Sequence, residues 1–132
     1  MEYLFSFLSL DRHEGTLAVM IDLLGTKKEY CLLIKSLALP HARPIPIFNV
    51  RPQAVFSADG QHVGYVQRSP EGGWNELAFR RVQSCWAGPG EVVAEGEADG
   101  EVLFRCEAEK ELRVGTDSNR GYIFLAVRNC HQ

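Results

Sequence analysis

The sequence predicts an all-β fold, an antiparallel sandwich or barrel of about nine or ten strands. Three observations carry that prediction. Apolar or alternating runs recur along all 132 residues. Clusters of Gly, Pro, Asp and Ser separate them at roughly 8–12 residue spacing, the signature of many short strands. Asp59-Gly60, the dipeptide that most readily closes a hairpin, joins two extended arms over residues 53–68 and has a counterpart in Asp99-Gly100, 40 residues on. That separation also suits three repeats in the available length, which makes a β-trefoil the alternative. Met20 and Ile21 stand where a third copy would fall, and they count against it.

Residues 2–10 place Tyr3, Phe5 and Phe7 on one parity and Leu4, Leu8 and Leu10 on the other. That pattern predicts a strand buried on both faces or one with an aromatic face. Asp11-Arg12-His13-Glu14-Gly15 reads as a polar turn. Residues 16–24, TLAVMIDLL, fit both a helical template through Leu17, Met20, Ile21 and Leu24 and a buried strand; strand is preferred because no firm helix stop precedes Gly25. A turn over 25–28 leads into a strand over 29–39, with Tyr30, Leu32 and Ile34 on one face and Cys31, Leu33 and Leu37 on the other.

Pro40, Pro44, Pro46 and Pro52, four of the six prolines, change the texture. Proline donates no ladder hydrogen bond and holds its predecessor extended, so residues 40–52 predict an edge strand or a crossing between the two halves. In the next hairpin a two-residue Asp59-Gly60 loop pairs Phe56 with Val63 and Ala54 with Tyr65, and places Ser57 with His62 and Val55 with Gly64 on the other face. Its string FSADGQHVGYV, residues 56–66, resembles the repeat of WD40-like propellers, where a Ser-x-Asp-Gly turn joins two blade strands. At about 40 residues per blade the chain is too short for a closed propeller, and no function follows from the likeness.

A turn at 69–73 precedes a strand over 74–82, which Cys85-Trp86-Ala87-Gly88-Pro89-Gly90 closes. The second hairpin favours a bulged loop at Gly100, pairing Val92 with Cys106, Ala94 with Phe104 and Gly96 with Val102, because that register keeps Glu95, Glu97, Glu101 and Arg105 outside. Residues 110–115 and 122–128 predict the last two strands, joined by a loop over 116–121.

The length is that of one domain, 1–132, able to bury about two-thirds of its unfolded surface without a metal or disulfide. A formal charge of -3 gives no reason to expect a nucleic acid or an anionic membrane as partner. The start MEYLFSFLSLDRHEG lacks a basic region and a long apolar segment, which fails the signal-peptide pattern and predicts a cytoplasmic home. Cys31, Cys85, Cys106 and Cys130 are then expected as free thiols.

No catalytic pattern stands out, and an enzyme is the less favoured reading. Cys130-His131 are neighbours pointing apart in an extended terminus. No CxxC, HxH or HExxH sets metal-ligand spacing, and no glycine-rich nucleotide loop occurs, so no metal or cofactor is expected. The one metal-like grouping, His62 and Asp59 with His13 and Glu14, requires two turns to lie at the same end of the molecule. Two tryptophans beside arginines point instead to a binding surface, and Trp74, Trp86, Arg80, Arg68 and Tyr65 are its expected residues. Residues 43–81 hold five Arg against Asp59, Glu71 and Glu76, whereas 91–111 hold eight acids against Arg105 and Lys110. This asymmetry opens a homodimer as one form of partner. The favoured function is therefore a non-enzymatic β-domain that binds a protein partner, as adaptor, inhibitor, immunity or structural component. The alternative is a sandwich or barrel whose pocket, lined by Tyr3, Phe5, Tyr65 or Phe104, holds a small ligand and extends to catalysis.

Overall fold

Among the described residues, nine strands of seven to nine residues and three two-residue strands make up the fold. The structure is a computed structural model, and it describes residues 5–23, 30–88, 100–116 and 123–129. In order these are β1 (Phe5–His13), β2 (Thr16–Leu23), β3 (Tyr30–Ser36), β4 (Arg43–Pro44), β5 (Ile47–Phe48), β6 (Val50–Phe56), β7 (His62–Arg68), β8 (Trp74–Arg81), β9 (Trp86–Ala87), β10 (Glu101–Glu107), β11 (Lys110–Thr116) and β12 (Ile123–Asn129). One sheet runs β1-β2-β3-β5, a second runs β10-β8-β7-β6, and β11-β12 and β4-β9 form two further ladders. The all-β sandwich expected from the turn spacing is what forms. No closed barrel occurs among the described residues.

Two cores hold the layers together. The first sheet sends Ala18, Met20, Leu32, Ile34 and Ile47 inward against Ala54, Phe56, Val63, Tyr65 and Ala78 of the second. The opposite face of the second sheet offers Val66, Leu77 and Cys106 to Leu112 and Val114 of β11. The β11-β12 hairpin is thus a third layer. This explains why Val63, Gly64, Tyr65 and Val66 are buried in succession: a strand covered on both sides has no solvent face.

The predicted hairpin register is observed, with Ala54 opposite Tyr65, Val55 opposite Gly64 and Phe56 opposite Val63. The loop itself is longer than the two residues expected. Gly60 N–H donates to Ser57 C=O (2.9 Å), Ser57 N–H donates to His62 C=O (2.9 Å), and His62 N–H also reaches Ser57 Oγ (3.1 Å). Gly60 takes φ +72°, which an L side chain rarely adopts. The next turn repeats the device: Gly72 donates to Ser69 C=O, Ser69 to Trp74 C=O, and Trp74 N–H to Ser69 Oγ, at 2.9, 2.9 and 3.1 Å. The repeating unit is therefore Ser-x-x-Gly-x-x at 57–62 and 69–74. The copy expected at Asp99-Gly100, with its bulged pairings, lies largely outside the described residues, and β10 is seen pairing with β8.

Residues 16–23 are strand, as preferred over helix. Residues 11–13, expected as part of a turn, instead extend β1, and the turn shrinks to Glu14-Gly15 with Glu14 at φ 52°. The cause is a bulge between Ser9 and Asp11. The extra residue shifts the phase of the strand, so Asp11 and His13 face inward beside Leu10, which packs against the core. Asp11 Oδ2 then accepts Phe56 N–H at 2.9 Å and ties β1 to the free side of β6. Within the proline-rich stretch Ile47-Phe48 pairs with β3, and β6 begins the second sheet just beyond Asn49, itself at φ 62°. Val82, expected as the last residue of a strand, instead opens a short 3-10 turn over Val82–Cys85 that buries Val82 and Cys85.

Candidate functional site

The five residues expected at a binding surface are dispersed by the fold. Tyr65 is 0% exposed, in the core. Its hydroxyl accepts a hydrogen bond from Arg80 Nε at 3.1 Å, and the Arg80 guanidinium lies 5.6 Å from its ring centre. The correction is physical: Val63, Tyr65, Ala78 and Arg80 share the inward face of the second sheet, so a large aromatic there is packed and cannot meet a partner. Arg68 is on the other face, donating from Nε to Asn75 Oδ1 at 3.0 Å. Trp86 is half-buried against the first core, and its indole N–H donates to Ile34 C=O of β3. It fastens the second sheet's outlet to the first sheet. Trp74 lies under the Arg105 guanidinium at 5.3 Å. That guanidinium also bonds Glu76 at 2.6 Å, and Gln67 Nε2 donates to the second Glu76 oxygen at 3.0 Å.

The two turns needed for the metal-like grouping do meet, because the β1 bulge aims His13 across the sandwich. His13 Nε2 donates to Ala58 C=O at 3.0 Å and its ring lies against Gly60. The ligand set does not assemble. Asp59 Oδ1 is taken by the Ser57 hydroxyl (2.7 Å) and Gln61 N–H (3.0 Å), which hold its carboxyl below the usual range. His62 faces the other way, stacked on Phe79 at 5.7 Å. Among the described residues no three His, Cys, Asp or Glu side chains are grouped to hold a metal ion. The pocket residues of the alternative reading also separate: Tyr65 pairs with Ala78 on the inward face, while Phe104 pairs with Leu77 on the outward one. Tyr3 and Cys130-His131 lie outside the described residues.

What the sequence reading missed is the outer face of the first sheet. Antiparallel partners share a face, and the ladders place Phe7, Ile21, Cys31 and Phe48 in one row across all four strands. Ser9, Val19 and Leu33 form the next row, and Arg12, Leu17 and Lys35 the third. Phe7 is 63% and Phe48 58% exposed, while Ile21, Cys31, Val19 and Leu33 are half-buried. Burial pushes the Cys31 thiol above its ordinary pKa, opposed by a backbone hydrogen bond from Ile21. The signal was legible in part: both parities of residues 17–21 and 30–34 are apolar, the mark of a strand covered twice. The described structure covers these strands once. No protein-family model, curated protein or solved structure matches the chain.

Proposed function

We propose that this chain is a non-enzymatic β-domain that binds a protein partner through the outer face of its first sheet. The observation that carries the reading is the row Phe7–Ile21–Cys31–Phe48, exposed at both ends and apolar throughout. A contiguous apolar patch on a sheet is a recurrent feature of docking surfaces. Covering an exposed Phe side chain is worth about 1.5–3 kcal/mol, so Phe7 and Phe48 would act as anchors at the two margins. The molecule supplies its own precedent, since the second sheet is apolar on both faces and the β11-β12 hairpin covers the outer one. The border of the patch defines the partner's chemistry. Arg12 and Lys35 are exposed on its third row, with Leu17 between them. A partner with an apolar face and acidic residues opposite those two cations is complementary to it.

The test is capture from the native host followed by footprinting. Wild type is expected to retain a stoichiometric protein that Phe48→Asp loses, and Cys31 in the recovered complex should resist maleimide while reacting in the free protein. A partner retained by Phe48→Asp, one that leaves Cys31 reactive, or no stoichiometric partner would overturn the proposal. Self-association of wild type on sedimentation, abolished by Phe48→Asp, would replace it with a homodimer.

A further inference from the structure

A second feature lies on the far layer, between the second sheet and the β11-β12 hairpin, and is independent of the apolar face. A cleft of about 240 Å³ opens there, with Arg51, Arg68 and Lys110 around it and Asn75 and Leu112 among the residues beneath. Arg51 precedes Pro52 near the start of β6, Arg68 ends β7, and Lys110 begins β11. Three chain segments thus contribute a basic residue each to the lining of one opening. Asn75, 5% exposed, holds the Arg68 guanidinium, its Oδ1 accepting Arg68 Nε at 3.0 Å, and its Nδ2 anchors the backbone at Lys110 by donating to that residue's C=O at 2.7 Å. Arg68 keeps its terminal nitrogens for other bonds, and neither the Arg51 guanidinium nor the Lys110 ammonium has a partner among the described residues.

Among the described residues Glu111 is the one carboxylate in the cleft lining, and it is already engaged. Arg113 Nε and Arg128 Nε donate to its two oxygens at 2.7 and 2.6 Å, and they hold its carboxyl below the usual range. The acid that could neutralise the rim is turned to other cations. Arg51, Arg68 and Lys110 line one opening of a chain whose formal charge is -3, and the carboxylate in that lining is engaged by other cations, so an anion bound there meets an excess of positive charge. Arginine forks match the geometry of phosphate oxygens, and a lysine adds a point charge. Three positive groups balance a dianion better than a lone carboxylate. We infer that this cleft binds a phosphate group of a small molecule, held by Arg51, Arg68 and Lys110 over the Asn75 amide.

The experiment is a titration of the whole chain, labelled with nitrogen-15, by inorganic phosphate, pyrophosphate and acetate at matched ionic strength. Phosphate and pyrophosphate are expected to give saturable shifts at Arg68 Nε and the Asn75 side-chain amide, with acetate about tenfold weaker or worse. Arg51→Gln and Lys110→Gln should each weaken the phosphate response about tenfold. Arg81→Gln, an exposed cation at the far end of β8, should leave it unchanged. Shifts that never saturate or appear equally at all arginines, affinity unaltered by Arg51→Gln and Lys110→Gln, or acetate binding as tightly as phosphate would each overturn the inference. A failure here leaves the Phe48 footprint untouched, since that reads the opposite layer.

Discussion

Gly60 and Gly72 occupy the same position in two copies of one turn, at φ +72° and +81°, yet their surroundings differ. A Cβ on Gly60 would run into the His13 ring, whereas one on Gly72 meets nothing within 4 Å. Gly72→Ala should therefore cost only the left-handed backbone term, about 1–2 kcal/mol. Gly60→Ala should cost more, by roughly a further 1 kcal/mol for displacing a packed side chain. Removing the ring with His13→Ala in the Gly60→Ala background should recover part of the difference. Urea unfolding of the four proteins measures it, and equal costs at the two glycines would show that the His13 contact carries no weight. The turn chemistry was legible, because Ser-x-x-Gly acts through residues within five of each other. The ring beside Gly60 was not, since His13 reaches it only through the bulge in β1.

Gln53 plays at the element scale the part that backbone plays elsewhere. Its Nε2 donates to Leu112 C=O and its Oε1 accepts Val114 N–H, both at 2.9 Å, so one side chain pairs with β11 as a strand would. Gln53→Ala leaves a part-buried carbonyl and N–H without that partner, at a cost of about 1–3 kcal/mol. Amide exchange should accelerate at Val114 and along the β11-β12 hairpin, while the amides of β2 keep their protection. Uniform acceleration across both sheets would instead mean that the hairpin and the sandwich open together. In the sequence Gln53 is an ordinary polar residue after a proline. Its partners lie 59 and 61 positions away, and nothing local marks them.

At the scale of the whole molecule, the second sheet is the shared wall of two unequal cores. Among the described residues the first core gathers thirteen buried side chains and the second four. Stability follows buried apolar area, so the smaller core should open first. The thiols report this directly: Cys31 is on the outer face, Cys106 in the small core and Cys85 in the large one. Burial pushes Cys85 up to about 11, with the charge of Arg80 opposing it. Alkylation at pH 8 with rising urea, read by peptide mapping, should label Cys31 first, then Cys106, and Cys85 only on global unfolding. Simultaneous labelling of Cys106 and Cys85 would make the two cores one cooperative unit.

Most strands among the described residues and the hairpin register around Asp59-Gly60 were readable in the sequence alone, because period-two alternation and turn residues act over a few residues. The same locality carried the choice of strand for residues 16–23. What surrounds each face was decided only in three dimensions. Tyr65 and Phe48 are both aromatic residues of predicted strands, yet one is sealed between sheets and the other is left on an uncovered face. Arg51, Arg68 and Lys110 come from three separate segments, and no spacing rule joins them. Burial and charge convergence depend on which layer stacks on which, a free energy of long-range packing that no short window of residues contains.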